Sequence, residues 1–247
     1  MSEHTAVHLR LAGVTRLQLA GRGPKTGFVF EPHRLALPCW ALALEECGRA
    51  PALLVTFDRH FDLAVPTEPA CVPDRREGAL ALDAHARLQL DVRNIDHIVA
   101  AMEAGLVGDV LAFARSSPEG ALQAASYRDR RGGTHRIERA PSPEAWLDGG
   151  GRLPGGEAPV LLDLDLDCFT SQSDADPRAV IPWPQALVRD HLLPEGSAAF
   201  WEALLPRTVA LTLAREPYHC GGLLSAGRLL EQVAPVLFGE LLGADLA

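Results

Sequence analysis

The chain has few of the features that assign a protein to a compartment or partner. Only five of its 247 residues are cysteine (Cys39, Cys47, Cys71, Cys168 and Cys220). The number is odd and no pair is spaced C-x-x-C, which indicates neither a disulfide framework nor a zinc ribbon. Reduced thiols in a cytoplasmic protein are the expectation. Positive charge is scarce: 23 Lys and Arg stand against 32 Asp and Glu, a formal net charge of −9. That balance counts against nucleic acid or an anionic membrane as the main partner and suits cations better. No apolar run approaches the roughly 20 residues of a membrane span, and Met1 to His8 lack the basic and apolar regions of a signal peptide. Aromatic residues make up 6%, yet hydrophobic residues reach 47%, enough for one sizeable core. With no internal repeat and no clean boundary, residues 1–247 are read as a single domain.

Short apolar strands alternate with helices. Strands are expected at 25–30, 52–57, 109–113, 160–167 and 208–214. Helices are expected at 35–48, closed by its glycine, at 94–105 with Asn94 as N-cap, and along 222–242, where apolar residues recur at helical spacing. Residues 64–83 read as a loop. Residues 115–157 read as a loop-rich excursion with a hairpin near 127–137. The alternation implies an α/β fold, a three-layer domain with a mainly parallel sheet and helices on both faces. In such sheets sites form beyond the carboxyl ends of the strands.

Two acidic stretches sit at such ends: Asp58-Arg59-His60-Phe61-Asp62 and Asp163-Leu164-Asp165-Leu166-Asp167. Side chains two apart on a strand share a face, so each stretch gathers its polar residues on one side. So many carboxylates beside apolar strands are costly unless a cation sits among them. A pair of divalent ions is the simplest such cation. Donors dominated by Asp with one or two His favour Mn2+, with Fe2+ or Co2+ also acceptable, over structural zinc. Two such ions about 3.5–4 Å apart can activate a water and orient a substrate.

These residues resemble the ureohydrolases, the arginase and agmatinase superfamily. Asp58-x-His60-x-Asp62 is similar to that family's Asp-x-His-x-Asp signature, and 162–169 to its Ser-x-Asp-x-Asp signature, with Asp163 at the serine. Glu31-Pro32-His33 lies where the family has a metal-binding histidine. The spread of matching pieces, with Asn94-Ile95 and Thr212 to Arg215, more closely resembles an atypical short branch that includes peptide arginases, which convert arginine residues of peptides to ornithine. The resemblance implies an arginase-like fold and a metal set of His33, Asp58, His60, Asp62, Asp165 and Asp167. In that set Asp58 and Asp165 bridge two ions, and Asp62 also holds the attacking hydroxide. The implied products are ornithine and urea.

The chain departs from the usual pattern in lacking the glycines before His33, in carrying Thr170 where the family has Asp, and in lacking the motifs that grip a free amino acid. An arginine-containing peptide is therefore the expected substrate, with a small guanidino compound as the other option. For the guanidinium, Glu216 and Asp96 are the candidate carboxylates, Glu216 also as a catalytic residue beside Asp62. Asp83-Ala84-His85 imitates a metal motif by letter but lacks a preceding buried strand; His85 remains a candidate proton shuttle. Cys168 and His219-Cys220 are expected to pack locally. The alternatives are another C–N hydrolase of the same fold, agmatinase-like or deacetylase-like, and a non-catalytic metal-binding module. Oligomeric state is left open.

Overall fold

The computed structural model describes residues 10–115, 122–153, 156–173, 176 and 179–244. Its frame is an eight-stranded sheet formed by β1 (Thr15–Gln18), β2 (Thr26–Phe30), β3 (Ala52–Asp58), β4 (Val107–Ala114), β5 (Gln123–Arg128), β6 (Thr134–Ala140), β7 (Val160–Asp165) and β10 (Thr208–Ala214). The spatial order is β1-β2-β10-β7-β3-β4-β6-β5. The strands from β2 to β6 in that order pair in parallel, and β1 and β5 close the edges antiparallel. A separate small ribbon joins β8 (Thr170–Gln172) to β9 (Val180–Pro182). The α/β reading and the mainly parallel sheet are what the structure shows.

Both faces of the sheet are covered, and the alternation of strand residues shows it. Ala52 and Leu54 of β3 pack in one core with α1 (Ala36–Cys47), α2 (Ala79–Leu88) and α3 (His97–Ala104). Leu53, Val55 and Phe57 pack in the other with α4 (Pro143–Asp148), α5 (Gln185–Leu192), α6 (Ala198–Leu204) and α7 (Leu223–Ala234). Every residue of β3 and β7 is buried, as central parallel strands require. By the same alternation Thr56, Asp58, Asp163, Asp165 and Thr212 all face the side of α1 to α3. Among the described residues no helix is long and apolar enough to cross a membrane.

Several sequence expectations need correction. The stretch 64–83 is not wholly loop, because α2 begins at Ala79, its turn prepared by an Asp74–Glu77 capping box. The helix expected at 94–105 starts at His97 with Asp96 in the N-cap position, and Asn94 instead adopts φ 62°. The described part of 115–157 is no excursion: its hairpin joins the main sheet as β5 and β6, with β6 parallel to β4. Helical spacing at 222–242 resolves into α7 followed by a π-helical turn at Pro235–Leu241.

Candidate metal centre

Four neighbouring parallel strands, β2, β10, β7 and β3, end side by side, and each delivers polar side chains at or just past its carboxyl end. His33 lies in the 3₁₀ turn after β2, Glu216 just past β10, Asp165 at the end of β7 with Asp167 in the turn that follows, and Asp58 at the end of β3. The strand face proposed for Asp58, His60 and Asp62 is only partly correct. β3 stops at Asp58, His60 and Asp62 ride on the loop, and Asp62 returns to the cluster through a left-handed turn at φ 48°.

His33 is wholly buried. Its Nδ1 lies 3.2 Å from Asp165 Oδ2, 3.3 Å from Asp62 Oδ2 and 3.6 Å from Asp58 Oδ2. On the other side of Asp58, His60 Nδ1 lies 3.7 Å from Asp58 Oδ1 and 3.1 Å from Asp167 Oδ2. Asp58 thus offers one oxygen to each histidine. Two ligand groups result, His33–Asp58–Asp165 and Asp58–His60–Asp167, sharing Asp58; a third group is His33–Asp62–His97. His97, not foreseen from sequence, is less suited to bind. Its Nδ1 hydrogen-bonds the Asn94 carbonyl at 2.8 Å, and its ring packs 4.3 Å from that of His33. Burial, with His33 alongside, holds it down to about 4, so it stays neutral and backs His33. A lone histidine at the head of an apolar helix carries no signal for that role.

The electrostatics are those of a cation site. Burial, then Asp62, Asp167 and Asp165, push the Asp58 carboxyl well above its ordinary value. Burial and Asp167 do the same to Asp165. His60 is raised by its hydrogen bond to Asp167. Asp167 is lowered although its burial opposes this, because His60 outweighs it. Buried His33 Nδ1 and Asp58 Oδ2 have no hydrogen-bond partner, and Asp167 Oδ2 has His60 Nδ1 beside it at 3.1 Å. Buried polar atoms are rarely left so, and divalent ions among them would supply the missing partners and reverse the penalty on Asp58 and Asp165. The residues present therefore fit two divalent cations.

An open cavity of about 980 Å³ leads to the cluster. Asp62, His60, Asp165, Asp167 and Glu216 line its inner part, and Val92, Ile95, Pro217, Tyr218 and Leu223 are among the residues of its wall. Asp62, Asn94 and Glu216 are the non-glycine residues at positive φ among those described, and all three line this cavity. Such backbone persists only where surroundings enforce it, and it gathers at functional sites. Asn94 is held at both ends, Oδ1 accepting from Arg34 at 2.7 Å and Nδ2 donating to Glu216 Oε1 at 2.5 Å.

Glu216 also accepts the His33 backbone N–H at 2.6 Å, and burial raises its carboxyl. Asp96 is placed differently. Both of its oxygens face the Asp91 N–H, at 3.2 and 3.1 Å, and it is not among the cavity-lining residues. His85 sits on α2 beside a separate small pocket with Cys71 and Glu68, and Asp83 pairs with Arg87 one turn on. Cys168 is buried, its Sγ 3.7 Å from His191 Nε2. His219, expected only to pack, lines the cavity edge-on to His60 at 5.6 Å.

No family model matches the chain, and no curated protein matches it. Among solved structures it is similar to a proclavaminate amidino hydrolase from Streptomyces clavuligerus, at 17% identity and a TM-score of 0.38, over 84% of this chain and 63% of that one. At that TM-score the likeness assigns neither family nor activity, and the chain spans less than two thirds of that protein's length.

Proposed function

We propose that this chain is a binuclear metal hydrolase of the ureohydrolase type that cleaves the guanidino group of arginine residues within a peptide. The observation that carries the reading is the pair of ligand groups sharing Asp58, with His33 Nδ1 and Asp58 Oδ2 buried and unpartnered between them. His33, Asp58, Asp62 and Asp165 would hold one ion, and Asp58, His60, Asp165 and Asp167 the other, with Mn2+ the expected metal. When bound, the two ions supply Lewis acidity and bring a water's pKa near neutrality.

The chain's own residues do the rest. Asp62 orients the attacking water through its carboxylate. Glu216, with Oε1 already held by His33 N–H and Asn94, offers Oε2 to a guanidinium N–H. Asp62 takes one proton as the water's oxygen adds to the guanidinium carbon. The bond from that carbon to Nε breaks as Nε takes a proton from protonated His219, the cavity imidazole outside the ligand set. The remaining hydroxyl proton passes to the leaving amine as the urea carbonyl forms, and Asp62 returns its proton to His219. The products are an ornithine residue and urea.

Cavity size and wall favour a peptide. At about 980 Å³ it lies at the top of the roughly 300–1,000 Å³ range for drug-sized ligands. Its two wall arginines each already hold a partner, Arg34 with Asn94 and Arg93 with Asp91. Val92 and Tyr218, 79% and 90% exposed, give the mouth apolar surface for flanking residues. The test is urea release by Mn2+-loaded protein from an arginine-containing peptide and from free arginine. Faster release from the peptide is expected. Equal or faster release from free arginine overturns the peptide assignment. Two bound ions without urea from any guanidino substrate redirect the reading to another C–N bond, and a single zinc per chain to a deacetylase-like enzyme.

A further inference from the structure

We infer that Asp163 is the positioning residue of this centre, a buried carboxylate that fixes the His33 ring so that Nδ1, and not Nε2, faces the cation. The inference rests on the metal-centre reading above. It concerns a residue that stands where the resembled signature has serine, and so a feature of this chain.

Asp163 precedes Asp165 by two residues on β7, on the same face but one step deeper. It is wholly buried and placed between two threonines by the sheet register, Thr56 of β3 and Thr212 of β10 both lying level with it. Thr212 Oγ1 donates to Asp163 Oδ1 at 2.6 Å, and Thr56 Oγ1 donates to Oδ2 at 2.8 Å. The Thr212 oxygen in turn accepts from Trp40 Nε1 at 3.0 Å, which leaves its hydrogen for Asp163. Against this fixed carboxylate lies His33 Nε2, 2.8 Å from Oδ2.

An ionised carboxylate only accepts, so Nε2 carries the hydrogen in this pair. In the neutral, metal-binding ring the lone pair is then on Nδ1, the buried atom that faces Asp58, Asp62 and Asp165. Packing of His97 against the ring at 4.3 Å holds its plane. A carboxylate on the far nitrogen of a metal-binding histidine fixes its tautomer and strengthens it as a donor.

The experiment is Mn2+ binding by equilibrium dialysis to the full chain and to Asp163→Asn and Asp163→Ser, with circular dichroism in EDTA to confirm folding. Asn keeps the shape and removes the charge, and Ser restores the residue of the resembled signature, so one of the two should fold if the other does not. Expected is a loss of about 10–100-fold in affinity for one of the two ions, the usual effect of removing such a partner, with the other ion held within a few-fold. The manganese electron paramagnetic resonance spectrum should change from that of a coupled pair to that of a single ion at intermediate metal concentration. A merely structural Asp163 would change the melting temperature and leave both affinities alone. A folded variant that binds both ions like the wild type overturns the positioning role and leaves the metal centre standing. A wild-type protein that binds no Mn2+ overturns both.

Discussion

Asp165 is under two opposed demands. In the proposed centre its carboxylate must be ionised, yet burial and Asp167 press it toward the neutral form when no cation is present. The Asp165→Asn variant should therefore melt higher than wild type in EDTA, by roughly 2–4 °C for each kcal/mol of relieved repulsion in a chain of this size, and gain nothing from added Mn2+. Differential scanning fluorimetry with and without metal checks both signs; a variant less stable in EDTA contradicts the repulsion account. His219→Asn should lower kcat about 10²–10⁴-fold, the usual range for a lost general acid, with metal content unchanged. An unaltered kcat in steady-state assays removes His219 from the mechanism. Asp58, His60, Asp62, Asp165 and Asp167 could be picked out in the sequence because acidic residues directly after an apolar strand are unusual. Asp163 stands in the same row, but its place depends on Thr56 and Thr212, 107 and 49 residues away in the chain. His97, Asn94 and His219 gave no such signal, since only the packing of α3 and of the turn after β10 brings them to the cluster.

At the scale of elements, β3, β7 and β10 were plain because continuous apolar runs bounded by turn residues leave little else to be. The start of α3 lies later than the sequence suggests because Asn94 is a good N-cap residue and an equally good left-handed one, and here it serves the second use by tying Arg34 to Glu216. The sequence shows the hairpin of β5 and β6 but not its docking, since β5 alternates half-buried and exposed residues and announces no neighbour. Side chains reinforce the pairing of β6 with β4 that docks it: buried Glu103 of α3 accepts from Tyr127 Oη at 2.5 Å and from the Arg130 N–H at 3.2 Å. Glu103→Ala should cost about 1–3 kcal/mol by leaving those donors unpaired, read as a lower urea midpoint, while Mn2+ binding is unchanged. A change in metal affinity would show that the hairpin and the centre are coupled.

The whole molecule responds to pH through the same cluster. In metal-free protein burial lowers His33, but Asp163 and its neighbours outweigh it and hold the group well above its ordinary 6.5. The added stability is full below about pH 6.5 and is lost as pH rises through the folded value. Asp58 and Asp165, also raised, act with the same sign from their ordinary range near pH 4 upward. His97 and His191, each held down to about 4 by burial first, are neutral folded and unfolded above pH 7 and add no slope there. Metal-free protein should therefore melt lower at pH 8.5 than at pH 7. Mn2+ should oppose the trend, because deprotonated ligands bind it better, and at 100-fold excess over its Kd one ion adds about 2.7 kcal/mol. Melting curves at the two pH values in EDTA and in Mn2+ test this; a metal-free chain that gains stability up to pH 8.5 contradicts it.

The most direct test of the account is the metal content of the chain after dialysis against Mn2+, with Asp58→Ala alongside. Two ions per chain in the wild type, and neither retained at stoichiometry once the shared ligand Asp58 is gone, is the predicted result. A wild-type chain that emerges with no bound ion contradicts the metal centre and the hydrolase built on it.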